Sequence, residues 1–98
     1  MWRHGDVLIA AVAAIPGSAH LLPTPLLARG EMTGHSHRVA DPATAELWES
    51  AGSLYLRVVG ESATVIHEEH KPIVLPRGTY KVWMQREYTP RAIRTVVD

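Results

Sequence analysis

Turn-forming residues cut this chain into pieces that suit strands. Glycine or proline recurs from Gly5 to Gly78, and the stretches between them rarely exceed about ten residues. Strands need only ~5–6 residues, whereas helices need more uninterrupted chain. Short segments at close spacing, with turn signals between them, indicate a β-sandwich or small barrel. At 98 residues the chain makes one domain, a single β-rich unit over residues 1–98. It contains no Phe, so Leu, Val, Ile, Trp and Tyr must fill a small core.

The segments follow from the punctuation. Gly5-Asp6 reads as a turn before a strand, Val7–Val12. This run is continuously apolar, which suggests burial on both faces; a helix over its alanines is the alternative. Residues 16–25 form a loop. Leu26–Met32 and Ser36–Asp41 are two strands, or one strand bent at Thr33-Gly34. Ala45–Glu49 is a short strand, and Ser50–Ser53 is a hairpin loop in which Gly52 takes the left-handed conformation. Ser53–Val59 alternates, with Leu54, Leu56 and Val58 on one face and Tyr55, Arg57 and Val59 on the other. Gly60-Glu61 has glycine first, as a type II′ turn requires, and Ala63–His67 returns from it. Ile73–Leu75 is short, Pro76-Arg77-Gly78 reads as a turn, and Thr79–Glu87 alternates again. Thr89-Pro90 signals a helix start, with a short C-terminal helix over Arg91–Val97. The expected class is therefore mainly β, a small barrel or sandwich with that helix at its end.

Bulk properties narrow the function classes. Without cysteine there is no disulfide, zinc ribbon or thiol nucleophile, which fits a cytoplasmic protein. Arg3, the apolar run Val7–Ile15 and the small residues after it resemble a short signal peptide. Asp6 interrupts that pattern, so we read a buried first strand. The run is too short to span a membrane. Net charge is zero but uneven: residues 1–70 carry −4 and residues 71–98 carry +4. We read the halves as complementing one another within the fold or across a homo-oligomer. The alternative is that the basic 71–98 segment contacts RNA or a phosphate-containing small molecule.

The chemistry lies in the histidines. Four of the six fall in two groups, His35-Ser36-His37 and His67-Glu68-Glu69-His70. His35 and His37, at i and i+2, share one face of a strand and can hold one ion from a rigid backbone. His67 and His70, at i and i+3, converge only if the chain turns or bulges at Glu68-Glu69. Three or four imidazoles suit Zn, Fe, Ni or Mn as divalent ions. With three protein ligands the open position would hold an activated water, and Glu69 or Glu68 would serve as base, a hydrolytic arrangement. The same His35, His37, His67, His70 and Glu69 also suit metal-free acid/base catalysis, for example phosphodiester cleavage by a nuclease. Arg38, Lys71 and Tyr88 are candidates for contacting developing charge, and Arg86 or Tyr88 for reaching a site. The third reading is a non-enzymatic binding or assembly module. His4 and His20 stand alone and are read as structural.

Gly34-His35-Ser36-His37-Arg38-Val39-Ala40-Asp41 resembles the first half of a cupin motif, an HxH pair followed by a carboxylate. Pro76-Arg77-Gly78-Thr79-Tyr80 resembles the PxG turn of the second half. The resemblance implies a small β-barrel holding a divalent metal through three histidines and a carboxylate. Asp41 stands where cupins have glutamate, and Lys81 stands where they have the histidine after the turn. The whole chain is also similar to small bacterial proteins carrying GHSHR and HEEHxPIxLPxGxY, a likeness that implies no activity.

Overall fold

A computed structural model describes residues 1–29 and 36–84. His35, Arg86, Tyr88 and the expected helix over Arg91–Val97 lie outside the described residues, as does the Thr33-Gly34 bend. Strands dominate the described residues, and their one helical segment is a 3-10 turn. The strands are β1 (Trp2–His4), β2 (Val7–Ala11), β3 (His20–Leu21), β4 (Leu26–Arg29), β5 (Ser36–Val39), β6 (Ala45–Ser50), β7 (Ser53–His67) and β8 (His70–Met84). A 3-10 turn, Pro42–Thr44, precedes β6, with Asp41 as its N-cap accepting from the Ala43 N–H.

All eight strands belong to one sheet. Its main order is β1-β2-β8-β7-β5-β4, with β6 and then β3 added beside the first part of β7. The sheet curls into a half-barrel; among the described residues there is neither a second sheet, as a sandwich needs, nor a closed barrel. Every pairing is antiparallel.

The spine is the long β7–β8 hairpin. Two sequence expectations fail here for one reason. Gly60-Glu61 and Pro76-Arg77-Gly78 are not turns; both lie within continuous strands and face each other across an irregular stretch. Val58 pairs with Gly78 and Ser62 with Pro76, so Val59, Gly60 and Glu61 stand opposite Arg77 alone. Turn residues here make a β-bulge, which bends the hairpin without ending it. Arg77 Nε donates to the Gly60 carbonyl and ties the bulge across the pair. Pro72 falls beside a second irregularity, between Val65 and His67, where a strand tolerates a missing N–H. The reversal itself is at Glu68-Glu69, with His67 paired to His70 on either side.

Alternation sets the core as expected over Ser53–Val59, with Leu56 and Val58 buried and Arg57 and Val59 exposed. Tyr80 and Val82 of β8 join them, as do Ala63 and Val65 of β7, Leu75, Val39, Leu47 and Leu27. In β2 only one face is buried: Val7 and Ile9 point inward, while Leu8 and Ala10 are half-buried and Ala11 is exposed. This corrects the two-sided burial expected from the apolar run, because among the described residues no second layer covers the outer face. An additional strand, β1, precedes it, paired to β2 through the Gly5-Asp6 turn. Trp2 of β1 meets Tyr80 edge to face, with ring centroids 5.4 Å apart.

The β6–β7 turn makes a direct prediction. Ala51 and Gly52 both have positive φ, 51° and 81°. That pair of angles is the type I′ pattern, which favours Asn-Gly. An alanine held there is strained by roughly 1 kcal/mol. Ala51→Asn should therefore raise stability by about 0.5–1 kcal/mol, read as a higher urea midpoint with unchanged slope.

Candidate metal centre

Four histidines converge at one end of the core. Three arrive by continuing buried rows of the sheet. His37 lies two residues before Val39 on β5, and His67 lies two after Val65 on β7, so each ring points the way its buried neighbour does. His4 ends β1 opposite Val7. His70 opens β8, brought beside His67 by the tight Glu68-Glu69 turn.

One ring nitrogen from each of His37, His67 and His70 lies within 4.8 Å of the others. Ring centroids are 4.3 Å apart for His37–His67, 4.6 Å for His67–His70 and 5.5 Å for His37–His70. His37 of the first group therefore meets both histidines of the second in space. His37 is buried, His67 half-buried and His70 exposed, which gives the cluster one face toward water. Zinc–nitrogen bonds of ~2.0–2.1 Å would place the ligand nitrogens roughly 3–3.5 Å apart. Closing on an ion thus needs side-chain shifts on the order of 1 Å. Because a hydrogen bond from the Glu69 N–H already reaches His67 Nδ1 at 3.0 Å, ligation by that ring exchanges this bond for a metal bond.

Sequence reasoning missed His4. Its ring is 2% exposed, and its Nδ1 lies 2.9 Å from His37 Nδ1. Its centroid is 5.7 Å from that of His70 and 6.4 Å from that of His67. The signal was present: Trp2 and His4 alternate immediately before a recognised turn, which implies a strand pairing His4 with the inward Val7. His20 is a surface residue, 3.3 Å from Glu49, and stands apart from the cluster.

Neighbouring groups brace the cluster. The Glu68 carboxylate accepts from the Ser36 N–H at 3.1 Å and from Arg38 Nη1 at 3.0 Å, pinning the hairpin tip to β5. Arg38 also donates to the Ser36 carbonyl, so it serves this brace. Asp41 caps the 3-10 turn. Lys81 pairs with Tyr55 and Ala10, away from the hairpin tip. Gly5 supplies the remaining space: a Cβ built there would lie 2.6 Å from His70 Nε2. Only a glycine lets the β1–β2 turn and the β7–β8 tip approach this closely.

Burial dominates the electrostatics. The His37 pKa is lowered to about 4, first by burial and then by charge on His67, His4 and His70, while Asp6 opposes. Burial likewise lowers His4; the backbone of Lys71 pulls the other way, and His70 and His67 add to the lowering. At neutral pH both rings are uncharged, each with a lone pair, which is the state a cation takes.

Residues 3–85 match the model of the DUF8820 family, described as a domain of unknown function. The chain belongs to the DUF8820 family. No curated protein and no solved structure matches it. The family assignment carries no link to cupins, and the stretch expected to form their PxG turn runs through β8 of this DUF8820 domain. Among the described residues no helix is long and apolar enough to cross a membrane.

Two predictions follow from this geometry. Gly5→Ala puts a side chain where φ is +63° and where His70 already sits. It should cost about 1–2 kcal/mol from the backbone alone and displace the His70 ring, seen as a lower urea midpoint with shifted His70 ring resonances. The lowered pKa values of His37 and His4 set a pH dependence. Between the unfolded value of 6.5 and about 4, the unfolded chain binds more protons at His37 than the folded one does. Stability should therefore be fully present above pH 6.5 and decline as pH falls toward 4. Urea midpoints of metal-free protein across that range will show it, and His37→Leu should flatten the decline.

Proposed function

We propose that this DUF8820 domain binds one divalent transition metal through His37, His67 and His70. The observation that carries the reading is the arrival of three imidazoles, from β5 and both strands of the β7–β8 hairpin, with ligand nitrogens within 4.8 Å. Imidazole sets of this kind suit Zn, Fe, Ni or Mn. The exposed His70 side leaves room for a water or a substrate as a further ligand. Zinc held by three protein ligands lowers the pKa of its bound water to about 7. Hydrolysis is accordingly the reaction class to try first, with Glu69 at the turn as the candidate base. An uncharged, buried His37 offers its lone pair to a cation and is not itself the general acid at neutral pH.

The test is metal analysis of protein purified without a metal-affinity tag, followed by zinc titration of chelator-treated protein. One zinc per chain is expected, with thermal stabilisation. At a hundredfold excess over Kd this amounts to about 2.7 kcal/mol. His37→Ala, His67→Ala and His70→Ala should each weaken binding by at least about tenfold. Wild-type protein that takes up no zinc, or a triple variant that binds as tightly as wild type, would sink the proposal.

A further inference from the structure

His4 is the member of the cluster that the proposed ligand set leaves over. It is almost fully buried, its Nδ1 contacts His37 Nδ1 at 2.9 Å, and its Nε2 is buried with no hydrogen-bond partner among the described residues. A neutral imidazole carries one N–H and one lone pair, so one ring must donate and the other accept. The two choices have opposite consequences. If His4 donates, the His37 proton sits on Nε2, and the nitrogen left for an ion is blocked. If His37 donates from Nδ1, its Nε2 is bare, and the His4 proton sits on Nε2.

The ligand role proposed for His37 decides between them. Its Nδ1 is turned to His4, so Nε2 is the nitrogen left for an ion held with His67 and His70. That nitrogen offers a lone pair only if the single proton of the neutral ring sits on Nδ1. The proton then donates to His4 Nδ1, and the His4 proton sits on Nε2.

We infer that His4 is a positioning residue, which accepts the Nδ1–H of His37, fixes that ring's orientation and leaves His37 Nε2 bare to take a cation. Metal-ligating histidines generally hold the second ring nitrogen in a hydrogen bond of this kind. Here the partner is another imidazole, supplied by the edge strand β1, so the N-terminal hairpin becomes part of the site. The inferred tautomer rests on the metal reading; the His4–His37 contact does not.

The experiment begins with metal-free, 15N-labelled wild-type protein at neutral pH. Long-range 1H–15N correlations through the ring carbon protons distinguish the two nitrogens of each imidazole. Expected are a protonated Nδ1 and bare Nε2 on His37, and a protonated Nε2 on His4. The reverse tautomer at His37 overturns the inference. The second arm compares His4→Asn, whose amide oxygen lies near the Nδ1 position and can accept, with His4→Leu, which cannot. Zinc affinity should fall by about tenfold to a hundredfold in His4→Leu and stay within a few-fold of wild type in His4→Asn. Equal losses in both variants, or no loss in His4→Leu, overturn it. Should wild-type protein bind no zinc while His37 shows the expected tautomer, the metal reading fails and the His4–His37 pairing stands.

Discussion

Every other strand of this domain reaches the β7–β8 hairpin directly or through a single neighbour. β2 adds to β8 and carries β1; β5 adds to the far part of β7 and carries β4; β6 adds to the near part of β7 and carries β3. One hairpin of two 15-residue strands therefore sets the register of the whole sheet. Its irregular stretch at Val59–Glu61 bends it, and a bent spine lets strands attached at opposite ends face one another. That is how His4 on one outer strand comes within hydrogen-bond distance of His37, although β2, β8 and β7 lie between their strands in the sheet.

A polar cluster ending an apolar core costs stability unless its members satisfy each other. Several features reduce the cost here. The rings contact one another, and the deepest two avoid charge. Glu68 and Arg38, both partly exposed, hold the hairpin tip against β5 without placing a formal charge in the interior. As a half-exposed ion pair it contributes under about 1 kcal/mol, so its importance is positional. The His4 Nε2 is the residual expense, and a domain with so small a core retains it.

What could be read in the sequence was what local periodicity controls. Leu54, Leu56 and Val58 face inward because a strand alternates, and the same rule aligned His67 with Ala63 and Val65. The histidine groups stood out by spacing, and His37 does meet His67 and His70. The hairpin turn was misplaced because glycine and proline mark bulges as readily as reversals. Gly60 and Pro76 serve a bend, while the true reversal uses Glu68-Glu69, which carries no turn signature. His4 was overlooked because its partner is 33 positions away and reached only through the curl of the sheet. Nothing in a linear pattern shows which outer strand will come round to meet which.

That curl also orders events in time. A hairpin can zip from its turn within ~1–10 μs, since its contacts are local. The His4–His37 contact spans 33 residues and depends on β2 and β5 having already docked on opposite flanks. Closing distant parts of the chain is slow compared with local pairing. The His4–His37 contact thus forms only after the hairpin and its flanking strands are in place. A ring signal from His37 therefore reports on the closing of the sheet across its curl, whereas one from Tyr55, between Trp48 and Lys81, reports on pairing along β7.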